Sequence, residues 1–165
     1  MDMPGAAARV ADVLEHIARD AMAQFGDITE KDFNRTLNLP ESNTLCALAT
    51  HLVSAGEFWV LVLVGKREIP RNRPAEFFAT GRAQDLLPRY ECWIQDVHEV
   101  LDSFPNERLS EPATPPAGYS LSTASQRERS DVYHALLHAV EHSALHLGHL
   151  QLTRQFLGYA PPGSE

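Results

Sequence analysis

Val140-Glu141-His142-Ser143-Ala144-Leu145-His146-Leu147-Gly148-His149-Leu150 lies inside the longest periodic stretch of the chain, about Thr123 to Leu157. Residues four apart in a helix sit one turn apart on one face, so His142 and His146 can bind one ion together. With His146 at zero and about 100 degrees per residue, His142 falls near -40, Ala139 and Leu157 near +20, and Val132 and Leu150 near +40. The two imidazoles thus share an apolar stripe. By the same rule His149 falls at about -60, His138 at about -80, His134 at about -120 and Glu141 at about -140. Gly158 and then Pro161-Pro162 end the segment. At about 1.5 Å per residue it would span roughly 50 Å.

Three further segments carry helical period, with prolines in the gaps. The first covers residues 6–25, with Val10, Val13, Leu14, Ile17, Ala21 and Phe25 on one stripe and Gly26 as its stop. The second covers 42–65, with Ser42 or Asn43 as cap and Gly65 at its end. The third covers 75–104, where Gly81 and Pro88 predict a kink or an irregular first turn. The fourth covers 123–157. Residues 105–122 form a Pro/Ser/Gly-rich crossover, a connector or a lid over one end. The pattern predicts an all-α chain, one domain over residues 1–165, folded as a four-helix bundle with long crossover connections.

On the second helix, Thr44, Leu48, Ala55, Phe58 and Val62 lie within about 60 degrees of His51, so this imidazole faces inward amid apolar residues. A buried histidine needs a partner. A metal shared with His142 and His146 would satisfy all three. Imidazole suits zinc, nickel, copper and iron, and an all-nitrogen set disfavours calcium and magnesium. Three protein ligands leave a position open, as in catalytic sites. Spacing and face alone leave a second reading open. In it His142 and His146 are partly exposed residues of a His-rich helix, and His51 is a hydrogen-bonded core histidine.

Composition narrows the function classes. The chain is 44% hydrophobic and 22% charged, with a formal net charge of -8. An acidic excess argues against nucleic acid, which needs Lys/Arg clusters. The one basic knot, Lys66-Arg67 followed by Arg71 and Arg73, reads as a solvated loop. Cys46 and Cys92 lack the spacing of a redox or zinc pair and read as reduced thiols. No signal peptide is visible. The most apolar run, Phe58 to Val64, is short of the roughly 20 residues a membrane span requires. The expectation is a cytoplasmic protein without membrane or nucleic-acid partners.

The segment from Asn43 through His51 to Trp59 resembles the second helix of the DinB/YfiT-like metalloenzyme family. That helix has a small polar start, an apolar run, a ligand His and an aromatic about two turns later. The segment Val140–Leu150 resembles the family's fourth-helix motif, and Arg71–Phe77 has a weaker similarity. The resemblance implies a four-helix bundle, a metal site of His51, His142 and His146, zinc or nickel as the ion, and frequent homodimers. It also implies an enzyme that uses a low-molecular-weight thiol, as a transferase or isomerase, or a hydrolase. His134 and His138 have no place in the family pattern. Glu141 is the only acid near the motif and points away, so no general base is visible.

Ser54, Phe58, Ser143 and His149 are candidate pocket residues beside the ligands. His149 is the best of them, as an orienting or proton-transfer group. Trp59, Phe77, Phe78, Tyr90 and Trp93 read as core or dimer interface. Glu57 and Glu91 read as solvated, and Asp96 and His98 as surface residues. The alternative to an enzyme is a non-catalytic metal-binding or stress-associated helical dimer. A third reading is a metal-free interaction module.

Overall fold

Capping chemistry sets where the long helices begin. The computed structural model describes residues 5–117, 119 and 131–163. Among these the protein is all-α. Helix α1 spans Ala6–Phe25, with the one-turn α2 at Glu30–Phe33. Helix α3 spans Leu45–Gly56 and continues without a break as wider turns over Glu57–Val64. The one-turn α4 spans Arg73–Glu76, α5 spans Ala83–Leu101, and α6 spans Val132–Phe156. Helix α1 packs against α5 and α6, and α3 packs against α5 and α6, around one core.

Thr44, not Ser42 or Asn43, caps α3: its hydroxyl accepts from the Ala47 N–H at 3.0 Å. Ser42 instead donates to the Leu37 carbonyl. Every residue of α3 except Thr50 is buried. Gly56 makes room for a side chain of α5, since a Cβ there would overlap the Trp93 indole. Beyond it the hydrogen bonds reach one residue further back, as in Gly65 N–H to Val60 O at 2.8 Å. The apolar run is therefore longer than its last seven residues suggest. Leu45–Val64 is long and apolar enough to cross a membrane, with mean hydropathy 1.7. Of its apolar window 89% is buried inside the protein, as suits a core helix.

The expected stripe on α1 is buried at Leu14, Ile17, Ala21 and Phe25, but not at Val13. Val13 is 45% exposed, while Ala7, Ala11 and Ala18 are buried beside Leu14, Ala21 and Phe25. Small residues there let α1 approach its neighbours closely. The third periodic stretch is two helices rather than one. The chain leaves α4 after Glu76 and re-enters helix at Ala83, and α5 then runs through Pro88. Asn34 clamps the break, donating to the Gly81 carbonyl at 2.7 Å and accepting from its N–H at 2.9 Å.

Asp131 caps α6, accepting from the His134 N–H at 2.8 Å. The expected start of this helix, residues 123–130, lies outside the described residues. At the other end Arg154 is buried and binds Asp27 and the carbonyls of Gln24 and Ala160. The far end of α6 is thus tied to the end of α1. The stripe expected on α6 is the observed one: Val132, Ala139, Leu150 and Leu157 are all buried.

Candidate metal centre

The 3.6-residue turn of α6 stacks His142 above His146, and α3 supplies His51 from across the interface. One nitrogen from each of the three lies within 4.8 Å of the others. The rings of His142 and His146 are 4.4 Å apart, and each stands edge-on or tilted within about the same reach of His51. His51 is 2% exposed, and the other two are partly buried.

His51 is held from behind. Its Nδ1 lies 2.6 Å from Glu76 Oε2, and Glu76 is itself 5% exposed. Arg71 grips the same carboxylate with Nε at 2.7 Å and Nη2 at 3.0 Å. Burial pushes the Glu76 carboxyl up, but the hydrogen bonds from His51 and Arg71 outweigh it and hold the group below the usual carboxylate range. An ionised carboxylate only accepts, so the His51 Nδ1–H donates and its Nε2 carries the lone pair. That Nε2 faces His142 Nε2 at 3.3 Å. The Phe77 ring packs tilted against the His51 ring, with centroids 4.7 Å apart.

His142 Nδ1 is buried with no partner among the described residues. Burial, and then the neighbouring imidazoles, push His142 down to about 3. The same causes push His146 down to about 4. Both rings are therefore neutral at physiological pH, the form that ligates a metal. A neutral imidazole keeps one N–H and one lone pair, so without an ion the His142 Nε2–H can donate to the His51 Nε2 lone pair across their 3.3 Å. With the His142 proton on Nδ1 instead, the three rings turn lone pairs to one point and could hold a metal ion.

The remaining expected residues divide. His149 Nδ1 lies 3.4 Å from His146 Nδ1, so it stands behind a candidate ligand. Ser54 and Phe58 line a cavity next to Glu76. Ser143 is buried, with its hydroxyl unpartnered among the described residues. His134 pairs with its capping acid Asp131 at 2.7 Å. The His138 ring stands edge-on to Trp59 at 4.4 Å, and its Nδ1 meets Glu141. Neither joins the three-imidazole group. Asp96 pairs with Arg67, and His98 with Glu15 and Asp102.

Two groups depart from the sequence reading. Arg71 is not a solvated loop residue, because it lies against Glu76 and over the Phe58 ring. Glu57 is not solvated either, since Arg89 binds it through two nitrogens. The acid behind His51 is Glu76, which helix periodicity cannot place because α4 has only one turn. Its local signal is the cap: Asn72 accepts from the Ala75 N–H, with Pro74 in the first turn.

A family model described as the DinB superfamily matches residues 13–150. The chain therefore belongs to the DinB superfamily. No curated protein matches it.

Acidification should destabilise the metal-free protein. His142 and His146 have folded pKa values below their unfolded value, so the unfolded chain binds more protons between about pH 4 and 6.5. Their contribution is present above that window and is lost as pH falls through it, at about 1.4 kcal/mol per pH unit for each group. Urea unfolding across this range should show the decline, and a flat profile would contradict the buried neutral pair. Glu76→Gln should weaken zinc binding by about 10–100-fold, measured by competition with a chelator. An unchanged affinity would remove Glu76 from the site.

Proposed function

We propose that this chain is a divalent-metal-dependent enzyme built as a DinB-type four-helix bundle, with His51, His142 and His146 as the protein ligands. The observation that carries the reading is the convergence of three imidazoles, two of them held neutral by burial, with a carboxylate fixing the third. Zinc or nickel suits an all-imidazole set, and cellular supply decides between them. Such an ion supplies Lewis acidity and lowers the pKa of a thiol or water.

The chain's own residues do the rest. Glu76 and Arg71 keep the proton of His51 on Nδ1 and its lone pair on Nε2. Phe77 packs against the His51 ring. His149 stands next to His146 Nδ1, where it can hold or pass a proton. Three protein ligands leave room for a small exogenous donor, and a low-molecular-weight thiol is the one we favour. The reaction is then transfer or isomerisation of a thiol-linked substrate, with hydrolysis as the other use of the same centre. Two unpaired cysteines, Cys46 and Cys92, accord with a cytoplasmic setting.

Elemental analysis of the purified, untagged protein tests the centre. About one equivalent of zinc or nickel is expected, and none in the His142→Ala/His146→Ala variant. Absence of metal after incubation with both ions would contradict it. A thiol added to the cobalt-loaded protein should then give a thiolate-to-metal absorption band. Its absence would favour a non-catalytic metal-binding protein.

We also propose a homodimer. Tyr133, Leu137, Leu145, Leu152 and Phe156 are 44–62% exposed along the outer side of α6. A helix apolar on both sides suits burial on both. Leu145→Glu/Leu152→Glu should convert the dimer to monomer in light scattering, and an unchanged mass would place the interface elsewhere.

A further inference from the structure

A cavity of about 260 Å³ lies beneath the Ile69–Asn72 link and α4, against α3 and the Arg89 side chain of α5. No ligand imidazole lines it, although Glu76 does. It is therefore separate from the metal centre and one carboxylate removed from His51.

Its walls are two ion pairs of the same form. Arg71 binds Glu76 through Nε and Nη2. Arg89 binds Glu57 through Nε and Nη2, and its Nη2 also donates to Ser54 Oγ at 2.8 Å. In both guanidiniums Nη1 has no protein partner among the described residues, so each presents two further N–H donors. The Glu57 oxygens each accept one hydrogen bond and keep a lone pair. The floor is apolar, with Phe58, Val62 and Ile69. The ionised walls sum to zero: two cations and two anions.

We propose that this cavity binds a zwitterionic small molecule of the α-amino-acid class with a short apolar side chain. A carboxylate meets the free Nη1 groups of Arg71 and Arg89, where charge-assisted hydrogen bonds are strongest. A bare anion would leave the neutral pocket with a net negative charge beside Glu57 and Glu76. An ammonium beside the carboxylate gives those acids a donor and keeps the site neutral. The apolar side chain covers Phe58, Val62 and Ile69. The occupant's ammonium shares Glu76 with His51, which joins the cavity to the metal centre without either needing the other.

Isothermal titration of the full-length protein with L-leucine tests the assignment. Saturable binding at one site is expected. Loss of either charge removes charge-assisted hydrogen bonds, so 4-methylpentanoate and isopentylamine should each bind at least about tenfold more weakly. Arg89→Gln should weaken leucine by a similar factor. Ala75→Leu, at the exposed rim, fills the mouth while leaving both ion pairs intact. It should abolish binding in a protein whose circular dichroism is unchanged. No heat with leucine at millimolar concentration would overturn the proposal. So would equal binding of 4-methylpentanoate, which would mark an anion site, or unchanged leucine affinity in the two variants. Both variants should retain metal, and the His142→Ala/His146→Ala protein should still bind leucine, so failure here is distinct from failure of the metal reading.

Discussion

The buried chain Arg71–Glu76–His51 is the interaction on which the site depends. An imidazole at 2% exposure and a carboxylate at 5% would each be costly alone. Paired, and gripped by a guanidinium, they are satisfied. The consequence is directional. With the proton fixed on Nδ1, the Nε2 lone pair points to where α6 brings His142 and His146. The site has one imidazole whose partner is complete and one, His142, whose buried Nδ1 lacks a partner among the described residues. Such a buried, unpartnered ring nitrogen is uncommon and is the feature on which the proposed metal site rests.

The fold serves that geometry by close approach. Alanines line the buried side of α1, and Gly56 leaves room for the Trp93 indole between α3 and α5. Arg154 ties the end of α6 to the end of α1, so the helix carrying two of the three imidazoles is fixed at its far end. The break at residues 77–82 has its own use. It frees α4 from the long helix that follows, and so lets a one-turn helix deliver Glu76 beside His51.

Much of this was legible in the chain. The period of 3.6 put His142 and His146 on the apolar stripe of α6 and His51 inside α3, and all three converge. The helices that failed to match did so for physical reasons. Val13 reads as core by type but is exposed, while Ala7, Ala11 and Ala18 join Leu14, Ile17, Ala21 and Phe25 on the buried stripe of α1. A cap is chosen by backbone geometry among adjacent candidates: Thr44 is extended and caps, while the Ser42 hydroxyl is taken by the Leu37 carbonyl. Arg71 reads as part of a solvated loop, and Glu76 as one residue in the first turn of a long third helix. Their partners are 25 and five residues away across a turn that has no period, and only tertiary contact reveals them.

X-ray absorption at the metal edge of the zinc-loaded protein tests the three-imidazole centre most directly. A first shell containing nitrogen donors at about 2.0–2.1 Å, with the outer scattering of three imidazoles that is lost in His51→Ala, is the expected result. An oxygen-only shell, or a spectrum unchanged by His51→Ala, would contradict it.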